Sequence, residues 1–113
     1  MSEPSIPERL RTMPDEPAVI ERLLGILSED QRKVQVTVEL SNGKTHPDLE
    51  LVLKSADGKE ISRTTILENL GPRLSFTMHI RQADVKFPIL LSCQLTYLDE
   101  QVYSEKTFSL EKA

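Results

Sequence analysis

The residue with the most reactive side chain in this sequence is its single cysteine, Cys93. A thiolate can serve as a nucleophile or a metal ligand, and a nucleophilic cysteine needs a base close by. The two histidines are the candidate bases, but His46 falls in a predicted loop and His79 on the polar face of a predicted strand. Cys93 belongs to an inward row of apolar residues. We therefore predict a buried core cysteine and no catalytic residue.

A copper site is the first metal site to consider, since blue-copper centres combine Cys, two His and Met. The required residue types are all present, as Cys93, His46, His79 and either Met78 or Met13. The usual copper pattern places a His and a Met soon after the Cys, whereas residues 94–113 contain neither. Zinc sites need four nitrogen or sulfur ligands at short spacings, which are also missing. We expect neither a metal ion nor a cofactor.

The carboxylates could also bind a cation or act in catalysis, but their pattern indicates this less strongly. His46, Asp48 and Glu50 alternate, so on a strand they would share one face and could hold a cation, although a solvated strand edge explains them equally simply. The adjacent acidic pairs are typical of caps and turns. Phosphate-binding glycine loops and the G-x-S-x-G and H-E-x-x-H motifs are absent from the sequence, which favours a protein that is not an enzyme.

The composition indicates one small globular domain. The chain has 113 residues, 38% of them hydrophobic but only 4% aromatic, so Val, Leu and Ile must fill the core. Its net charge of −4 and dispersed basic residues argue against nucleic acid as a partner. Neither a signal peptide nor an apolar run long enough to span a membrane is found, so we expect a cytoplasmic protein.

The N-terminal third is predicted to contain a mobile arm and one helix. Residues 1–14 are polar and rich in proline, which favours a flexible arm. Residues 15–31 are predicted as an amphipathic helix, because Asp15 can cap it and apolar residues recur at spacings of three and four. Its apolar face either covers one end of its own domain or serves as a partner-contact surface, and it is formed by Val19, Ile20, Leu23, Leu24 and Leu27.

From Lys33 the period of the apolar residues changes to two, which predicts β-strands. Residues 32–111 are interpreted as a β-sandwich domain of about six to seven strands. For the terminal hairpin we favour the register in which Ile89 faces Leu110, Leu91 faces Phe108 and Tyr97 faces Val102. This choice gathers the apolar side chains on one face, whereas a register shifted by one scatters them. It places Lys106 on the inward side, where its side chain must either snorkel to solvent or lie near an edge.

The fold class that follows is mostly β, an antiparallel two-sheet sandwich preceded by one short helix. The even strand spacing, the Asp57-Gly58 turn and the long penultimate strand paired with the last strand resemble immunoglobulin-like or fibronectin type III-like sandwiches at the level of class. The chain has neither a tryptophan nor a second cysteine, and Tyr97 follows Cys93 rather than preceding it. The resemblance therefore implies a fold and no function.

Two functional hypotheses remain from the sequence. The first is a non-catalytic protein-protein interaction module or subunit, with a protein partner or a second copy contacting the helix face. The sheet edges are a further surface, since an unpaired strand accepts a partner strand unless charges such as Arg63 or Lys106 protect it. The alternative is a domain that binds a small apolar ligand or assists an enzyme, because the inward faces are aliphatic.

Overall fold

The computed structural model of the chain describes residues 17–41, 45–69 and 71–112. These residues form seven β-strands in chain order. Their bounds are β1 Ile20–Leu27, β2 Lys33–Leu40, β3 Asp48–Lys54, β4 Glu60–Ile66, β5 Arg73–His79, β6 Ile89–Thr96 and β7 Val102–Leu110. The predicted N-terminal arm, residues 1–14, lies outside the described residues.

The strands β2 to β7 form where the alternation of apolar and polar residues predicted them. In β2, Val34, Val36 and Val38 are fully buried. Gln35, which lies between two of these valines, is exposed. One face of β2 therefore supplies the core and the other faces outward, as expected for a half-buried antiparallel strand.

The strands form two antiparallel sheets. One is three-stranded with the order β1-β2-β5, and the other is four-stranded with the order β4-β3-β6-β7. Their inward faces enclose one core, in which the largest fully buried side chains include Leu49, Leu51, Leu53, Leu91 and Leu95. The predicted two-sheet antiparallel β-sandwich is confirmed.

The two sheets are unequal in width, and this affects one side of the sandwich. At one side β1 lies against β7, so the sheets are aligned there. At the other side β5 is in contact with β4. Because the opposing sheet has one strand more, we infer that β4 extends beyond β5.

The predicted N-terminal helix is wrong in the part that the structure describes, since Ile20–Leu27 is an eight-residue strand. A β-bulge between Ile20 and Arg22 adds one residue to the spacing of the inward side chains. Ile20 and Leu23 both face the core as a result, three residues apart, which imitates one turn of a helix. Pairing with β2 satisfies the backbone of this segment and overrides its local helical pattern.

The register of the terminal hairpin is largely as predicted. Ile89 lies opposite Leu110 and Leu91 opposite Phe108. The predicted pair of Tyr97 and Val102 is wrong, because a bulge after Leu95 shifts the register so that Thr96 faces Val102. Lys106 is exposed on β7, which is an edge strand, in agreement with its predicted position near an edge.

Hydrogen bonds tie the beginning of β1 to the opposite sheet. The Ala18 N–H donates to the Tyr97 hydroxyl at 2.9 Å, and this hydroxyl donates to Thr45 Oγ1 at 2.8 Å. The Ile20 N–H donates to Ser104 Oγ at 2.9 Å. Because Tyr97 follows β6 and Ser104 belongs to β7, these bonds hold β1 against the four-stranded sheet.

Candidate functional site

Cys93 lies in the core, as predicted. Its side chain has no exposed surface, and it sits on the inward face of β6 opposite Leu51 of β3. Burial raises the pKa of the Cys93 thiol to about 12. The thiol is therefore protonated at neutral pH, whereas nucleophilic cysteines and metal ligands act as thiolates.

Neither histidine accompanies Cys93. His79 is exposed on the outward face of the three-stranded sheet, opposite Lys33 of β2. His46 is also exposed, and its Nδ1 lies 3.4 Å from the backbone carbonyl oxygen of Asn69. The structure thus places the thiol inside the sandwich and both imidazoles outside it. The combination of Cys and His that nucleophilic or copper chemistry requires is not assembled here.

The alternating carboxylates after His46 are engaged with other groups. Asp48 Oδ1 accepts a hydrogen bond from the Glu68 N–H at 2.8 Å. Glu50 Oε1 lies 2.6 Å from Arg63 Nη1. Across the described residues, no three His, Cys, Asp or Glu side chains come together in a way that could hold a metal ion.

The five residues proposed as a partner-contact face do not lie on one surface. Ile20 and Leu23 face the core, where they are 0% and 5% exposed. Leu24 and Leu27 are partly buried, and Val19 is 49% exposed just before β1. The helix that would have gathered them is absent from the described residues, so contact between these residues and a partner stays an untested prediction.

The edge strands are the remaining candidates for binding, and they differ in how they are protected. β1 lies against β7. Arg63 occupies the centre of β4, and Glu105 and Lys106 the centre of β7. Charged residues in the middle of an edge strand oppose the addition of another strand. β5 is different, because its central residues 74–78, with the sequence LSFTM, carry no charge.

Among the described residues, no strand is bonded to the backbone of β5 along one of its sides. The Ile80 N–H donates to the Arg32 carbonyl at 2.7 Å. At the other end, the Pro72 carbonyl accepts from the Leu40 N–H at 2.6 Å. Even-numbered residues therefore bond to β2, and because backbone groups alternate along a strand, odd-numbered residues point away from it. The residues that present N–H and C=O groups at the free edge are Arg73, Ser75, Thr77 and His79.

The inward side chains of β5 are incompletely covered. Leu74 and Phe76 point into the sandwich but are only partly buried. Beyond them lies the extended strand β4, whose inward Ile66 is also partly buried and is followed by Leu67, which is 69% exposed. A strand added beside β5 would lie over β4 and cover these apolar side chains.

The outward side chains of β5 leave the free edge accessible. The Gln35 side-chain amide of β2 donates from Nε2 to Ser75 Oγ at 2.8 Å. Thr77 Oγ1 donates to Gln35 Oε1 at 3.0 Å. Both hydroxyls are thus bound to the neighbouring strand on the side away from the edge. We call the row of free backbone groups, together with Leu74 and Phe76, the β5 edge.

A second surface of interest is a groove of about 440 Å³ between β1 and β7, called here the seam groove. It is lined by residues 25–29 and 108–111, among others, and its walls are more apolar than polar. Ile26, in one wall, is 68% exposed. The groove also has Glu29 and Glu111 in its lining.

Two comparisons with known proteins, one with family models and one with curated sequences, give no match. In the stretches 17–41, 45–69 and 71–112, no helix has the length and apolar character needed to cross a membrane. The function has to be inferred from the two surfaces described above.

Sequence reasoning identified sheet edges as candidate surfaces but not which edge. The uncharged run 74–78 is visible in the sequence between Arg73 and His79, and it could have been compared with the charged centres of β4 and β7. The strand order could not be derived in this way, because it depends on pairing between distant segments.

Proposed function

We propose that this chain is a small non-catalytic interaction module or subunit, which binds a protein partner by adding one strand of that partner to the β5 edge. In this mode the main-chain hydrogen bonds supply affinity and alternate side chains supply specificity. We place the protein in the cytoplasm as part of the same proposal, since its single cysteine is a free thiol.

The observation that carries this proposal is the combination of features at the β5 edge. The strand has free backbone groups along one side and no charge in its centre. Leu74 and Phe76 are left partly exposed at a position where the opposing sheet extends one strand further. A partner strand would satisfy the backbone, cover the apolar side chains and make the two sheets equal in width.

The N-terminal segment has a different role in this proposal from the one its sequence predicted. Residues 20–27 pair with β2 and contribute Ile20 and Leu23 to the core. Removing residues 1–31 would therefore destabilise the sandwich itself rather than detach a docking helix. The proposed partner-binding surface is therefore β5, at the opposite edge of the three-stranded sheet from β1.

The test is a Thr77→Pro substitution in the full chain. Proline removes the Thr77 N–H, which points to the free edge, so the bonds between β5 and β2 are retained. Wild type and variant are immobilised and used to capture partners from native cells, and the protein retained by the wild type is purified and titrated. We expect its affinity for Thr77→Pro to be lower by about tenfold or more, since a main-chain hydrogen bond is lost and the ring obstructs the edge.

Thr77→Val is the matched control, because it loses the same hydroxyl but keeps the N–H. It should bind within about twofold of the wild type, and both variants should show the circular dichroism of the folded protein. Hydrogen exchange in the complex should show new protection of the Ser75, Thr77 and His79 amides. Equal affinity of all three proteins for the partner, or protection elsewhere, would contradict binding at the β5 edge.

A second candidate function is the binding of a small apolar molecule, and the seam groove is the observation that favours it. Its volume of about 440 Å³ lies in the range of ligand sites, and Ile26, Leu27 and Phe108 provide apolar contacts. Glu29 and Glu111 in the lining disfavour an anionic ligand. The candidate ligand is therefore a neutral amphiphile with an alkyl chain.

Decan-1-ol is the probe for this candidate, and decanoate is its charged control. Titration of the full chain should shift the methyl resonances of Ile26 and Leu27 saturably with the alcohol, and more weakly with the carboxylate. An absence of saturable shifts with decan-1-ol would remove the apolar-ligand function.

A further inference from the structure

The charged side chains near the β5 edge indicate which charge a bound strand should carry. On the outward faces of β2 and β5, the one carboxylate is that of Glu39, which lies 3.7 Å from Arg73 Nε. At the other end of the two strands, Lys33 lies opposite His79, and the exposed Arg81 follows shortly after. This end of the β5 edge, formed by Lys33, His79 and Arg81, is called here the basic end.

Several carboxylates lie around the basic end, in neighbouring turns and at the start of β4, where Asp57 and Glu60 share a cleft with residues 82–86. Asp30 is hydrogen-bonded to the Ser28 hydroxyl and the Arg32 N–H, at 2.6 and 3.0 Å. The Ser28 hydroxyl lowers the pKa of Asp30 most, and the nearby Lys33 and Arg32 lower it further. Asp84 lies with Asp30 in an adjoining cleft. The outward row of β5 thus contains no carboxylate, although the whole chain carries a net charge of −4.

We propose that the strand bound at the β5 edge is acidic: an extended protein segment with apolar side chains at alternate positions and carboxylates between them, one of these opposite His79. This inference rests on the proposed function and specifies its partner. The apolar side chains cover Leu74, Phe76 and the inward face of β4. The carboxylates lie on the outward side, next to His79 and one strand away from Lys33 of β2.

A second copy of this chain does not fit the same description. Two β5 strands related by twofold symmetry about Phe76 would place Arg73 of each copy opposite His79 of the other. The pairing would place an arginine opposite a histidine at both ends and would bring no carboxylate of β5 to either of them. The charge pattern therefore favours a different protein with an acidic strand.

Three nine-residue peptides test the inference. They share valine or leucine at alternate positions, and the intervening positions are Glu in the first, Gln in the second and Lys in the third. Each is titrated into the full-length wild-type protein and followed by amide shifts of β5. We expect the Glu peptide to bind most tightly and to lose affinity as the salt concentration rises, because screening weakens contacts between exposed charges.

Charge reversal at the basic end provides the matching variants. The double variant Lys33→Glu, Arg81→Glu should bind the Glu peptide about three- to tenfold more weakly than the wild type does. It should bind the Lys peptide more tightly. Lys54→Glu, Lys59→Glu makes the same change in net charge on the four-stranded sheet, and it should leave the order of the three peptides unchanged. Circular dichroism confirms that each variant is folded.

The outcomes separate this inference from the proposed function. If the three peptides bind equally and Thr77→Pro blocks them all, strand addition at β5 stands and the acidic partner is overturned. If the peptides produce no saturable shifts in β5, or if Thr77→Pro binds them unchanged, strand addition itself fails. A preference for the Glu peptide that the basic-end variant reverses, and that the control does not, supports both.

Discussion

Leu91→Ala is expected to lower the free energy of unfolding by about 2–5 kcal/mol, the range for a leucine removed from a rigid core. Leu91 has no exposed surface and lies on β6 between Leu53 of β3 and Phe108 of β7. Truncation leaves a cavity that these neighbours fill only in part. Since domains of this size are stable by about 5–15 kcal/mol, the loss is a large fraction of the total.

Leu90→Ala is the matched control, with the same substitution one residue away. Leu90 is 43% exposed on the outward face of β6, so its truncation should change the unfolding free energy by less than about 1 kcal/mol. Both values come from urea unfolding followed by circular dichroism, with a shifted midpoint and an unchanged slope. Similar losses for the two variants would contradict the assigned faces of β6.

Gly25→Val is expected to destabilise the fold by about 1–3 kcal/mol through overpacking. A Cβ atom at Gly25 would lie 3.2 Å from Leu110 Cδ2 and Val34 Cγ1, and 3.3 Å from Leu91 Cδ2. Valine adds two methyl groups beyond this already short approach. Replacing glycine within a helix would have the opposite sign, because glycine is among the poorest helix formers. The substitution therefore also distinguishes strand β1 from the predicted helix.

Gly71→Val serves as the comparison for this prediction. A Cβ atom at Gly71 meets a backbone oxygen, that of Arg73, at an ordinary 3.7 Å. Its effect on the unfolding free energy should stay within about 0.5 kcal/mol. If Gly25→Val raised stability in the same urea titration, the close packing of β1 on the core would be wrong.

Because the centre of β5 carries no charge, the same edge that could bind a partner strand could also cause aggregation. An uncharged edge strand can pair with other strands and cause aggregation. The charged residues at the centres of β4 and β7 oppose strand pairing at those two edges. The third edge, that of β1, lies against β7. This difference between β5 and the other edges is the reason for proposing that a partner strand covers β5.

The strands could be predicted well from the sequence wherever one face is apolar and the other polar. β2 and β6 are examples, since their valines and leucines alternate with Gln35, Ser92 and Gln94. Burial of one face gives this pattern a direct physical cause, because a shift of one residue would expose the whole apolar row. The same cause made Cys93 predictable as a core residue.

The prediction failed in β1, where local spacing was misleading. The bulge near Ile20 produces a spacing of three that local sequence alone does not distinguish from a helical turn. The pairing of Gly25 with Val36, and its close approach to Leu110, depend on segments far away in the chain. Such contacts determine the structure of β1 and leave no signal within residues 20–27 themselves.

The sequence by itself determined the β-sandwich class, the inward rows of most strands and the position of Cys93, because these follow from the periodic burial of apolar side chains. Only the tertiary structure decided that β5 is an edge strand, that β4 extends beyond it, and that Lys33 and His79 lie side by side. These features arise from pairing between strands distant in sequence, which a local pattern does not encode. The candidate site, the β5 edge, is one of these features that only the tertiary structure decided.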